Sequence, residues 1–110
     1  MKKINIVKDK RDFNRIIRNN IPYKSKNYII YLEKSNDVYK FGISVSKKLG
    51  NAVFRNKIKR QLKNIIDKKD YQNSFNCIII VRRGIINLSF KEMKDELYNC
   101  FNKINILKGE

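Results

Sequence analysis

Apolar residues recur at two different periods along this chain, and the switches between them mark out its elements. Over residues 9–19, Phe13, Ile16 and Ile17 form one stripe with Arg11, Arg15 and Arg18 away from it, which predicts a first helix docked through that stripe. Asp9 followed by Asp12 resembles a capping box, and Pro22 ends the helical region because it lacks an N–H and disfavours helical geometry at Ile21. A brief extended piece at 23–25 leads into residues 27–33, whose β-branched and aromatic side chains predict a strand. Ser35-Asn36-Asp37 is a turn signal and residues 38–45 alternate, so the two strands are expected to pair as a hairpin. Tyr39, Phe41, Ile43 and Val45 share one face of the later strand, while Tyr31 lies opposite Tyr28, Ile30 and Leu32 on the earlier one. The pattern leaves open which sheet face is covered.

The period then returns to that of a helix. Gly50-Asn51 is a break, and Asn51 can cap a helix by accepting a bond from an orphan N–H. On that helix Phe54, Ile58, Leu62, Ile65 and Ile66 fall on one face, and Asn56, Lys59, Arg60 and Lys63 on another, with Arg55 at its edge. No acidic residue interrupts residues 46–66, so no neighbouring carboxylate neutralises the cationic side within the helix. Most charge runs are solvated faces. Here the missing acids, and an Arg55-Asn56 pair able to bond phosphate, sugar and base edges together, favour a binding ridge. Residues 67–76 read as a polar loop, and residues 77–81 as a short strand covered on both faces, suggesting a parallel crossover through the helix. Ser89 with Glu92 makes a capping box and Leu88 with Met93 a hydrophobic staple; Met93, Leu97, Cys100 or Phe101, and Ile104 continue a last helix. The predicted order is α-β-β-β-α-β-α in a single α+β domain over residues 1–110.

Composition narrows what such a domain does. A formal net charge of +16 on 110 residues calls for a polyanionic partner, nucleic acid first and an anionic membrane surface second. The membrane reading weakens because the apolar runs are short and strand-like. Histidine is absent, which removes Ser-His and Cys-His pairs and imidazole ligands. Cys77 and Cys100 are too few for a structural zinc site and are expected as small buried hydrophobes. Asp67, Asp70, Glu92, Asp95 and Glu96 form no close set for two-metal chemistry; Glu92 reads as a cap, Asp95 and Glu96 as polar-face residues. Residues 1–5 lack the apolar core of a signal peptide, so a cytoplasmic location is expected.

The run Val45-Ser46-Lys47-Lys48-Leu49-Gly50-Asn51-Ala52-Val53, followed by Arg55-Asn56-Lys57-Ile58-Lys59-Arg60, resembles the signature S-K-K-x-G-N-A-V-x-R-N-x-x-K-R of the bacterial ribonuclease P protein subunit. Lys57 stands where the usual Arg-Asn-Arg triplet has its second arginine, replacing a bidentate contact by a point charge. The resemblance extends over essentially the whole chain. It implies a four-stranded mixed sheet packed by helices, with a β-α-β crossover of unusual left hand. It further implies that Lys48, Asn51, Arg55, Asn56, Lys57, Lys59, Arg60 and Lys63 contact the catalytic RNA of the holoenzyme. A cleft between the first helix and the sheet would take the single-stranded 5′ leader of precursor tRNA through Phe13, Ile17, Tyr31 and Lys47, with Ile17 standing where a second aromatic is common. The RNA subunit would carry the endonucleolytic chemistry with Mg2+ held mainly by RNA groups. The protein alone would then be non-catalytic, with no metal site and no obligate protein partner. Composition by itself leaves open a generic structured-RNA-binding module or an independent nuclease; the signature favours the ribonuclease P reading.

Overall fold

A computed structural model describes residues 1–109. Its elements follow the predicted order: α1 (Lys10–Asn19), β1 (Tyr23–Lys24), β2 (Tyr28–Lys34), β3 (Lys40–Ser44), α2 (Ala52–Asp67), β4 (Phe75–Val81) and α3 (Phe90–Lys103). Short 3-10 turns lie at Lys3–Asn5, Lys47–Leu49 and Arg83–Asn87. The strands form one mixed sheet in the order β1-β2-β4-β3.

The expected hairpin does not form. β4 lies between β2, to which it is antiparallel, and β3, to which it is parallel. The physical reason is burial: Cys77, Ile78 and Ile79 are fully covered, and only a central strand has both faces covered. The five residues between β2 and β3 therefore step across one strand, a span of about 10 Å at the usual interstrand spacing, within reach of a short extended link. Ser35 N–H donates to Ser74 C=O (3.0 Å), tying that link to the start of β4.

Both sheet faces are covered, by different elements. Tyr28 and Ile30 of β2, Phe41 of β3 and Cys77, Ile79 and Val81 of β4 form the main core with Ile58, Leu62, Ile65 and Ile66 of α2 and Met93, Leu97, Cys100 and Phe101 of α3. Each such aliphatic side chain contributes on the order of 1.5–3 kcal/mol when buried. On the opposite face Val7, Ile16 and Ile78 form a smaller cluster under α1, with Phe13, Ile17, Tyr31 and Ile80 packed around it. Both cysteines are free and buried, and burial pushes both thiols up.

Three local expectations need correction. Asp9 caps α1 by accepting from Arg11 N–H (2.9 Å), but Asp12 turns to the Arg15 guanidinium, so no reciprocal box forms. The stretch 67–76 is not wholly a polar loop: Tyr71 is buried, β4 already begins at Phe75, and both rings join the main core. Glu96 is not a solvated polar-face residue. Its carboxylate accepts from Ser25 Oγ (2.6 Å), Asn27 N–H (2.8 Å) and Asn27 Nδ2 (2.6 Å), pinning the β1–β2 turn to α3. Asn27 is only 2% exposed, so removing its acceptor leaves buried donors unpaired. Glu96→Ala is expected to cost about 2–4 kcal/mol in urea unfolding, and a loss within about 0.5 kcal/mol would show the network to be incidental.

The capping box of α3 is present as expected, with Ser89 N–H donating to Glu92 Oε1 (2.9 Å) and Glu92 N–H donating to Ser89 Oγ (3.1 Å). The Ser89 N–H, and after it the Ser89 hydroxyl, hold the Glu92 carboxyl below its usual range.

Candidate nucleic-acid interface

The ridge is built by the cap and the apolar face of α2. Asn51 accepts from Phe54 N–H (2.9 Å), and the Phe54 ring lies against Gly50, where a Cβ would come within 2.7 Å of it. Only glycine lets the turn close on the helix so tightly. With Ile58, Leu62, Ile65 and Ile66 buried, Asn56, Lys57, Arg60 and Lys63 are exposed, and Arg55 and Lys59 are half-buried. Arg55 donates Nε to Gly50 C=O (3.3 Å), which steers the guanidinium beside the turn carrying Lys47 and Lys48, both exposed. The side-chain oxygen of Asn51 is committed to its cap. Among the described residues no carboxylate forms an ion pair with any of these cations; the acids pair elsewhere, Asp67 with the Met1 amino group, Asp37 with Lys40 and Asp95 with Lys91. The ridge thus points outward and stays positive.

The second surface lies on the far side of the sheet. Phe13 stands directly over Gly42, where an added Cβ would meet its ring at 2.5 Å and Ile78 at 2.8 Å. Any other residue at position 42 would lift the ring off the sheet. Phe13, Ile17 and Tyr31 are all half-buried against the small cluster, so each keeps an open edge. Register continues the floor beyond them. Tyr31, Ile78 and Gly42 form one row across the strands, and Lys24, Ile29, Ile80 and Ser44 the next. Arg82 follows at the end of β4 and donates Nη1 to Ser25 C=O (3.0 Å). The third row, Glu33, Asn76 and Lys40, closes the other end through ion pairs. Arg15 Nη2 donates to Glu33 Oε1 (2.9 Å) and Asn76 Nδ2 to the same oxygen (3.0 Å).

The Arg15 guanidinium, and after it the Asn76 amide, hold the Glu33 carboxyl below its usual range. Because the folded value is the lower one, the stabilisation is complete above the unfolded value of about 4.3 and is lost as pH falls through the folded value. Glu33→Gln is therefore expected to flatten part of the acid limb of stability, and identical profiles between pH 6 and pH 3 would count against it.

Lys47 is exposed on the turn three residues past β3, beyond the Ser44 end of this floor rather than among its rows. The structure instead brings Phe13 together with two ridge residues. Phe13, Gly42, Lys59 and Lys63 wall one hollow of about 150 Å3 along the β3 edge, so ridge and cleft meet there. The N-terminal segment seals this edge: Ile6 bridges Phe41, and Val7 N–H donates to Phe41 C=O (2.9 Å). Sequence reasoning missed that segment, and it missed Lys24, Ile29, Ile80 and Arg82 as cleft residues. Their periodicity was visible, but their neighbours depend on strand order. A larger hollow of about 500 Å3 lies beyond the Glu33 row, lined by Lys3, Lys8, Arg15 and Lys40 with Asp9 and Asp12; there Arg15 and Lys40 are already held by carboxylates.

Among the described residues no three His, Cys, Asp or Glu side chains converge as metal ligands, and no helix is long and apolar enough to cross a membrane. The cationic side of α2 lies outward, and Phe13, Ile17 and Tyr31 lie together around the small cluster under α1. Residues 1–105 match the family model described as ribonuclease P. The chain belongs to the ribonuclease P protein family. It is 38% identical over 107 residues to the ribonuclease P protein component of Dictyoglomus turgidum, covering 93% of this chain and 90% of that one. Identity to the component of Streptococcus gordonii is 39% over 108 residues, covering 96% and 91%. The fold superposes on the ribonuclease P protein of Staphylococcus aureus with a TM-score of 0.86 at 28% identity, over 96% of this chain and 100% of that one. The family's four-stranded sheet and three helices are thus those of this chain.

Proposed function

We propose that this protein is the RNA-binding subunit of the ribonuclease P ribonucleoprotein, assisting removal of 5′ leaders from precursor tRNA in the cytoplasm. The ridge on α2 would bind the catalytic RNA through Lys48, Asn51, Arg55, Asn56, Lys57, Lys59, Arg60 and Lys63. The cleft under α1 would take the leader, with Phe13 and Tyr31 offering faces for base stacking and Lys24, Arg82 and Lys47 as candidate rim cations. Hydrolysis would belong to the RNA, with Mg2+ on RNA groups. Among the described residues no three His, Cys, Asp or Glu side chains converge as ligands for it. What supports this reading most is the outward, acid-free ridge on a fold of this family.

The test is cleavage of precursor tRNA by the cognate catalytic RNA at low magnesium, with and without the protein. Stimulation is expected, and its absence would favour a generic RNA-binding module. Specific cleavage at the mature 5′ end by protein alone would overturn the division of roles. Phe13→Ala and Tyr31→Ala are each expected to weaken precursor tRNA binding by about 1–3 kcal/mol while leaving mature tRNA nearly unchanged, since only the precursor carries a leader. Equal losses for both substrates would count against the cleft.

A further inference from the structure

A third surface uses lysines that neither the ridge nor the cleft employs. Asn64, Ile65 and Lys68 on the α2 side face Phe90, Lys94 and Tyr98 on the α3 side across a groove of about 320 Å3, with Lys69 at its rim. Positions 90, 94 and 98 recur at the spacing of one helix face, so the aromatic–lysine–aromatic stripe is a single edge of α3. The Tyr98 ring is fixed by its hydroxyl, which donates to Ile65 C=O (2.6 Å), and the Lys69 ammonium lies 4.8 Å from its centroid. Phe90 is 41% exposed, unusual for a phenylalanine in the first turn of a helix that is otherwise well packed. Among the described residues no carboxylate lines the groove. Of the acids nearby, Glu92 is held in its cap and Asp95 by Lys91, while Asp70 lines the adjoining hollow with Lys68 and Lys69.

The groove is continuous with the ridge. Asn64 and Lys68 stand four and eight residues after Arg60, on the same edge of α2, so Lys68 lies about 12 Å further along its axis. We infer that this groove receives an unpaired nucleotide of the same RNA that lies along the ridge, its base against Phe90 and its phosphates beside Lys68 and Lys94. The inference rests on the reading of the ridge as an RNA surface. An unpaired residue is required because a base inside a helix offers no face to a side chain, whereas a splayed base stacks on aromatic rings without regard to sequence. Three lysines with no lining acid exclude an acidic groove's preference for cations and match a polyanion.

The experiment compares Arg60→Ala, Phe90→Leu and the double variant Lys68→Ala/Lys94→Ala with wild type, by affinity for the catalytic RNA across a salt series and by chemical protection of that RNA nucleotide by nucleotide. Phe90→Leu keeps an apolar body on the helix and is expected to lower affinity about fivefold or more with an unchanged salt slope, while exposing one unpaired nucleotide. The double lysine variant is expected to reduce the log–log slope by about 1.4 or more. Arg60→Ala should weaken binding without exposing that nucleotide. A wild-type protein that fails to bind the RNA overturns the ridge reading and this inference with it. Wild-type binding together with twofold or smaller changes and an intact protection pattern in both groove variants overturns the groove alone, including the case in which an acidic protein covers it.

Discussion

Raising the salt from about 50 to about 200 mM is expected to weaken binding of the catalytic RNA by about two and a half to three orders of magnitude. The reason is the number of cations on α2 and the turn that leads into it: Lys48 on the turn, Arg55 at the helix start, then Lys57, Lys59, Arg60 and Lys63 along it, none with an acidic partner among the described residues. Each phosphate they neutralise releases condensed counterions, so the log–log slope counts contacts. Six contacts give a slope of about −4 to −5. Arg60→Ala should shorten that slope by about 0.7–0.9 and cost on the order of 1 kcal/mol, since one exposed charge in salt contributes little alone. Titrations of labelled RNA at several salt concentrations measure both quantities. A wild-type slope shallower than about −2 would mean that the ridge is a solvated face after all.

Phe41→Ala is expected to destabilise the fold by about 3–5 kcal/mol, a large share of what a domain of this size possesses. Phe41 is 1% exposed and sits at the centre of an aromatic cluster built from four separate parts of the chain. Its ring lies 4.9 Å from Tyr71, 5.6 Å from Phe75, 5.7 Å from Phe101 and 5.8 Å from Tyr39, with the Tyr71, Phe75 and Tyr39 contacts edge-on. Edge-on pairs gain from the ring quadrupole beyond their buried area, and a methyl group cannot replace any of them. The cavity would open between β3, the start of β4 and α3. Urea unfolding measures the loss directly, and a change below about 1 kcal/mol would show that the cluster repacks around the gap.

The local elements were legible because their signals are local. Asn51 and Ser89 announce two helix starts with their own side chains, and the apolar stripes of α2 and α3 identify the faces that are buried. The ridge followed from the same pattern, since whatever faces away from a buried stripe faces out. Strand neighbours were not legible. A turn such as Ser35-Asn36-Asp37 looks alike whether it closes a hairpin or spans an intervening strand, and the choice was made by residues 75–81, far along the chain. The same non-locality hid the cleft floor: Ile29 and Ile80 share a row only because β4 lies beside β2. Tyr71 and Phe75 escaped because isolated aromatics in a polar stretch carry no period. Glu96 escaped because a carboxylate on a helix edge looks solvated until the turn that it holds, sixty-nine residues earlier, is folded against it.

The placement of β4 also bears on how the protein comes off the ribosome. Until residues 75–81 emerge, β2 has only the two-residue β1 to pair with and β3 has no strand, so the apolar flank of α2 has no complete sheet to lie on. Two thirds of the polypeptide, carrying most of its arginines and lysines, must therefore wait for its central strand beside a particle made largely of RNA. For this chain the order of synthesis places the polyelectrolyte hazard before the fold that restrains it.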